Sequence, residues 1–243
     1  MSFLKLGIPS KGRLMDLTIS WFAQYGIRID AFIGSREYSA SILGMPKIKV
    51  ILISASEIPK ELAAGRIDLG ITGQDLVREN IPMWRETLLE LKPLNFGKAD
   101  LVLAVPKFWV DVESIDDFDA VAINFRRENG FRLRIATKYH NLMRSYLRRM
   151  GVADCQLIDS QGATEGAIKN NAAEAIADIT SSGRTLKANH LKVIGDKPVL
   201  RSQATLYLSY VSKWPLNKCK ILENFNSKVS IKNPNLDVNE LQV

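Results

Sequence analysis

The chain has 243 residues, 33 of them Lys or Arg and 26 Asp or Glu, for a formal charge of +7. That length suits one large or two small domains; no apolar run approaches the roughly 20 residues of a membrane span, and the N-terminal "MSFLKLGIPSKGRLMDL", interrupted by Lys5, Lys11 and Arg13, is not a signal peptide. Two cysteines without metal-ligand spacing and two histidines argue against a disulfide framework, a structural zinc and Ser-His-Asp chemistry and fit a reducing cytoplasm, while the positive balance asks for an anionic partner: nucleic acid, membrane or a phosphorylated small molecule.

Short apolar strands alternate with amphipathic helices, the pattern of an α/β fold. A strand is expected over 3–9, followed by a helix with Leu14, Leu17, Trp21, Phe22 and Tyr25 on one stripe and Gly26 as its stop. "KVILIS" (49–54) reads as a buried strand, after which Ser56 is placed to cap a helix that admits Pro59 in its first turn and closes at Gly65. A third strand, 67–73, ends in small residues before "QDLVREN". A second cycle begins near residue 98, with strands at 99–106 and 133–138 and a helix facing Leu142, Met143, Tyr146, Leu147 and Met150 inward; "CQLID" and "AIADI" are further strands. The expected architecture is two similar α/β lobes around a central cleft: 1–97 plus about 196–243, and 98–195. The long strand 199–210 returns the chain to the first lobe, and "NPNLDVNELQV" is read as a tail.

Three stretches carry candidate chemistry. "ADITSSGRTLKAN" (177–189) sets Thr180, Ser181, Ser182 and Thr185 around Gly183 at a strand-to-helix turn, where amides and hydroxyls can cradle a phosphate beside Asp178. An ordinary Ser-rich turn with an N-cap fits the same residues, and neither GxxxxGK[ST] nor GxGxxG occurs. "PSKGRL" (9–14) places Lys11 and Arg13 at a helix start, where cations oppose the macrodipole and ask for a counter-anion; a solvated basic loop is the alternative. "RRENGFRLRIATKYHNLMRSYLRR" holds eight Lys or Arg against one acid, which fits a nucleic-acid face or, more simply, the solvated side of an amphipathic helix. A two-lobed small-anion-binding protein without catalysis fits these features too.

"GATEGAIKNNAAEAIADITSSGRTLKAN" resembles the signature of ATP phosphoribosyltransferase, the first enzyme of histidine biosynthesis, through Glu165, Ile176, Asp178, Ser182, Gly183, Thr185 and Leu186. "PSKGRL", "DLGITGQDL", "RIATKY" and "RSQA" are similar to further family segments in the same order, so five separated motifs span about residues 4–210. One departure is Asn171, inside "IKNN", where the family has Gly; Asn tolerates positive φ better than most residues.

The resemblance implies a periplasmic-binding-protein-like, type IV phosphoribosyltransferase fold and transfer of the phosphoribosyl group of phosphoribosyl pyrophosphate (PRPP) to N1 of ATP. It implies the short form of the family, without the C-terminal regulatory domain. That form works as a homodimer within a hetero-oligomer that includes a histidyl-tRNA-synthetase-like regulatory subunit, with no role for nucleic acid or membrane. Thr180, Ser181, Ser182, Gly183, Arg184 and Thr185 are then expected to hold the 5-phosphate of PRPP, and Asp178 and Glu165 the ribose hydroxyls. Arg13, with Arg36 second and Lys11 nearby, is expected on the pyrophosphate, and Mg²⁺ is held mainly by substrate. Asp68, Thr72, Gly73 and Asp75 are expected to line part of the ATP site.

Overall fold

The computed structural model describes residues 3–31, 39–160 and 164–231, and the chain divides into two compact units, 1–97 with 203–243, and 98–202. The first unit opens with β1 (Leu4–Pro9), α1 (Gly12–Gln24), β2 (Ile29–Ala31), β3 (Ser39–Ile42), β4 (Ile48–Ile53), α2 (Ile58–Ala63), β5 (Leu69–Gly73), α3 (Gln74–Asn80), α4 (Trp84–Thr87) and β6 (Leu88–Pro93). The second contains β7 (Ala99–Pro106), α5 (Ile115–Asn129), β8 (Leu133–Thr137), α6 (His140–Met150), β9 (Cys155–Asp159), α7 (Gly166–Lys169), β10 (Ala175–Thr180), α8 (Arg184–Ala188), β11 (Leu191–Val193) and β12 (Leu200–Ser202). The chain then returns to the first unit for β13 (Ala204–Ser209) and α9 (Leu216–Lys228).

The first unit holds a seven-stranded sheet in the order β2-β3-β4-β1-β5-β13-β6. Its centre is parallel, β1 pairing with both β4 and β5, and β13 runs antiparallel between β5 and β6. These central strands are apolar on both faces because helices cover both. On one face Trp21 and Phe22 of α1 and Leu222 and Phe225 of α9 pack with Leu6, Ile8 and Leu206; on the other, Ile58 and Leu62 of α2 pack with Ile67, Val77 and Tyr207. Gly70 makes the second contact possible: a Cβ there would lie 2.7 Å from Ile58 Cγ2.

The second unit has a six-stranded sheet, β11-β7-β10-β8-β9, with β12 sharing the outer edge of β7. β10 lies parallel to β8, which is parallel to β9, and antiparallel to β7. Met143, Tyr146 and Leu147 of α6 are buried against this sheet, whereas Met150 at the last turn is 40% exposed, contrary to its expected inward placement. The expected strand 199–210 is two strands: β12 pairs with β7, β13 with β5 and β6, and Gln203 lies between them. The crossing therefore falls at 202–203 and not near 196.

Local signals explain the helix ends. Gly26 closes α1 at φ 69, and Gly65 follows α2 at φ 64. Ser56 does not cap α2: Glu57 holds the cap position in an αR conformation, and Ser54 O accepts the Glu57 and Ile58 amides, leaving Ser56 Oγ to share a hydrogen bond with Ser54 Oγ. Asn171 adopts φ 54 after α7, its amide bonded to Ile168 O, with Arg134 Nη2 donating to its carbonyl. Asparagine thus supplies the left-handed residue that ends a helix where glycine commonly does. Strands β2, β3 and β6 and helix α9 have no counterpart in the elements expected from sequence, and the expected tail, 233–243, lies outside the described residues.

Asp68 ties the first unit together. Its side chain is almost fully buried, accepts the Lys5 amide at 2.7 Å and pairs with Lys218 Nζ at 2.9 Å, joining β1, the start of β5 and α9. Asp68→Ala strands the Lys218 ammonium in a largely buried site and should cost about 3–5 kcal/mol, read as a lowered midpoint in urea unfolding.

Candidate active site

In open parallel sheets ligands bind beyond the carboxyl ends of the strands. In the second unit those ends are Thr137 of β8, Asp159 of β9 and Thr180 of β10. Past Thr180 the chain turns sharply. Thr180 Oγ1 accepts the Gly183 amide at 2.8 Å, and Gly183 adopts φ 68 to start α8. Beyond its chain neighbours, no atom of the described residues lies within 4 Å of where a Gly183 Cβ would be, so glycine is required there for its dihedral and not for space. Ser181, Ser182, Arg184 and Thr185 are exposed, and Arg184 Nε donates to Ser182 Oγ at 3.3 Å. The first-turn amides of a helix have no intrahelical acceptor, so this turn gathers amides and hydroxyls at one place. Thr180, expected among the donors, uses a lone pair of its hydroxyl oxygen to hold the turn and keeps its own proton to donate.

Asp178 lies within β10, opposite Val102 of β7 and two residues short of the strand end. It is half-buried, and its Oδ1 accepts the Ile179 amide at 2.8 Å. Glu165, half-buried, precedes α7 on the connection that leaves the end of β9. Four further polar side chains on this edge, in two pairs, went unread in the sequence. His140 Nε2 and Asp159 Oδ1 are 2.7 Å apart, and Ser160 Oγ donates to Thr164 Oγ1 at 2.7 Å. The signal for Asp159 and Ser160 was present, since they end and follow the strand "CQLID".

Neither cysteine is a nucleophile candidate. Burial and the carboxylates of Asp119 and Asp154 push the Cys155 thiol up to about 12, where almost no thiolate exists near neutrality. Cys219 is buried with its sulfur against Trp214 O. Among the described residues, no three His, Cys, Asp or Glu side chains converge as a metal site.

In the first unit the carboxyl ends of β1, β4 and β5 align, and Ser10 N donates to Ile53 O across them. Lys11, extended, precedes α1, and Lys11 and Arg13 are both exposed there with no acid in the first turn. Thr72 and Gly73 end β5, and Gln74 and Asp75 open α3. All four are buried, and the Thr72 hydroxyl donates to Ala55 O at 2.7 Å. The structure separates Asp68 from this group. It precedes β5 at the amino end, about 13 Å along the strand from Thr72, and its oxygens are committed to Lys5 and Lys218. Arg36 lies outside the described residues.

Beneath the β5–α3 junction is a polar layer. Gln74 donates its amide proton to Gln203 O (3.1 Å) and its Nε2 to Glu90 Oε1 (2.9 Å). Of four buried side-chain polar atoms without a hydrogen-bond partner among the described residues, Arg78 Nε, Gln203 Oε1 and Tyr207 OH belong to this layer. Each such atom costs about 1–3 kcal/mol, so they cluster where the fold forgoes stability.

A family profile described as "HisG: ATP phosphoribosyltransferase" matches residues 54–227. An ATP phosphoribosyltransferase of Cereibacter sphaeroides is 56% identical over 211 residues, covering 87% of this chain and 89% of that protein. One of Rhodopseudomonas palustris is 44% identical over 209 residues, and there the chain spans 64% of the relative's length. Among solved structures, an ATP phosphoribosyl transferase (HisG:HisZ) complex from Thermotoga maritima superposes with a TM-score of 0.70 at 24% identity, over 94% of this chain and 97% of that one. The periplasmic VFT2 domain of Bordetella pertussis BvgS shares the fold at a TM-score of 0.51 and 12% identity, over 98% and 90% of the two chains. With two α/β units, a hydroxyl-rich turn at the end of β10 and relatives of one name across most of its length, the chain belongs to the ATP phosphoribosyltransferase family.

Proposed function

We propose that this chain joins N1 of the ATP adenine to C1 of PRPP and expels pyrophosphate, the first step of histidine biosynthesis, through the residues at the two strand-end edges. The observation that carries the reading is the Thr180–Thr185 turn, whose left-handed Gly183 and exposed hydroxyls suit a phosphate ester. Ser181, Ser182, Gly183, Arg184 and Thr185 hold the 5-phosphate in this reading, with Thr180 shaping the loop. Asp178 and Glu165 take the ribose hydroxyls. Lys11 and Arg13, exposed at the start of α1, take the pyrophosphate, and Thr72, Gly73 and Asp75 belong to the ATP side.

The chemistry matches this inventory. Adenine N1 already carries a lone pair, so no strong base is needed to activate it. The N1–C1 bond forms as the bond from C1 to the pyrophosphate oxygen breaks, through an oxocarbenium-like centre whose electron pair leaves with pyrophosphate. Positioning and charge stabilisation therefore dominate the rate. Single carboxylates such as Asp178, without a converging set, fit a Mg²⁺ held mainly by substrate oxygens. Bound there, the ion would neutralise part of the pyrophosphate charge. A HisZ-like regulatory partner belongs to the same proposal, supported by the likeness to the T. maritima HisG:HisZ complex, and a homodimeric core within a larger assembly is proposed with it.

Mixing the chain with ATP, PRPP and Mg²⁺, with the regulatory subunit present, should release pyrophosphate in step with loss of ATP; no release under those conditions rejects the reading. Arg13→Ala should lower turnover about 10²–10³-fold while leaving the thermal midpoint nearly unchanged, since the side chain is exposed. Wild-type turnover in that variant would remove Arg13 from the mechanism. Thr185→Val should raise KM for PRPP and leave KM for ATP alone; the reverse would exchange the two substrate assignments.

A further inference from the structure

The polar layer under the β5–α3 junction keeps one hydrogen-bond donor in reserve. Tyr207 stands opposite Glu90 in the β13–β6 ladder, so the two side chains project to the same face. Two donors thus neighbour the Glu90 carboxylate, the Gln74 carboxamide and the Tyr207 phenol, whose titration the carboxylate influences. Only the carboxamide uses it, at 2.9 Å. Tyr207 OH is fully buried and has no partner within 3.5 Å among the described residues; the nearby Thr205 hydroxyl acts on it as a donor, lowering its pKa, and lies 3.5 Å from Gln203 O, so the phenol's own proton is uncommitted. Burial and the Glu90 carboxylate push the phenol's pKa up, so it keeps its proton and can donate.

Gln74 is also the residue best placed to leave. It opens α3 at the carboxyl end of β5, immediately after Gly73, and its main chain is fixed to Gln203 O. Its side-chain carboxamide takes no part in that main-chain bond. A substrate-side reason for turning follows from the reaction. The adenine atom that must stay open to attack is N1, so recognition is left to the N6 amino group and N7. That donor–acceptor pair matches a side-chain carboxamide, with Oε1 accepting from N6 and Nε2 donating to N7.

We propose that Gln74 reads the N6/N7 edge of the ATP adenine, and that Tyr207 replaces it as donor to Glu90 when it turns. Hydrogen bonds are then conserved across the exchange. Without the phenol, binding would leave a half-buried carboxylate with one donor fewer. The inference rests on the placement of ATP at the β5–α3 junction made above.

The test is steady-state kinetics at saturating PRPP and Mg²⁺, with ITP as a dead-end competitor of ATP. Hypoxanthine carries a proton on N1, so it cannot attack, and its O6 presents an acceptor where Gln74 Oε1 needs a donor. Gln74→Ala should raise KM for ATP about tenfold at unchanged kcat, while the ITP inhibition constant moves less than about twofold. Gln74→Met, of similar shape, repeats the measurement should the alanine variant fail to fold. Tyr207→Phe should raise KM for ATP while the thermal midpoint stays level or rises, and it should add nothing in the Gln74→Ala background. Equal effects of Gln74→Ala on ATP and ITP, or an unchanged ATP KM in Tyr207→Phe, overturn the proposal. Gly73→Val separates the two levels. If it leaves ATP KM unchanged, the ATP placement falls and the proposal with it; if it raises ATP KM where Gln74→Ala does not, only the proposal falls.

Discussion

Parallel strand pairing is the constraint on which the rest of this molecule depends. Because β1 lies parallel to β4 and β5, and β8 to β9 and β10, each sheet collects several strand ends along one edge. Main-chain groups at those ends have left the ladder, and the chain must turn there to enter a helix. Lys11, Arg13, Thr72, Gly73, Glu165 and the 180–185 turn are far apart in sequence, yet all fall on such edges. A family reaction between two polyanions needs this kind of surface, with amides, hydroxyls and a few cations on a rigid apolar base.

The two edges use their polar groups differently. In the second unit the Thr180 side chain holds the left-handed Gly183, leaving neighbouring hydroxyls exposed at the surface. In the first, the groups at the β5–α3 junction are buried and bonded to neighbouring protein groups, with three buried polar atoms nearby that lack partners among the described residues. The first arrangement suits an anion that arrives with its own charge. The second suits a neutral, patterned group such as a base edge, where a reorganised hydrogen bond discriminates more than charge does. Asp68 marks the contrast within one strand. At the amino end of β5 a carboxylate is sealed under Lys218 for stability, while the α3 junction at the other end lies over polar atoms unpaired among the described residues.

Much of this was legible in the residues. Runs such as "ADLVLAVP" and "AEAIADI" mark strands buried on both faces, and Gly26, Gly65 and Gly183 mark turns because only a positive φ explains them locally. The signature turn and the strand-to-helix junction at Lys11 could be located because strand ends, small residues and cations are all local properties. Asn171 was readable for the same reason: its φ of 54 is a property of one residue and its helix end.

What a linear reading could not settle is direction and company. "IDLGITGQD" lists Asp68 and Asp75 as near equals, and only the pairing of β5 shows that they sit at opposite ends of a strand, one of them locked to Lys218, 150 residues away. The break of 199–210 at Gln203 is equally hidden, because an apolar strand pattern carries no mark of which sheet receives it. The meeting of Tyr207 with Glu90 and Gln74 is set by the register of an antiparallel ladder. Periodicity and turn chemistry act over a few residues and are written in the chain; register and burial arise from packing between distant segments, and exist only once the sheets have assembled.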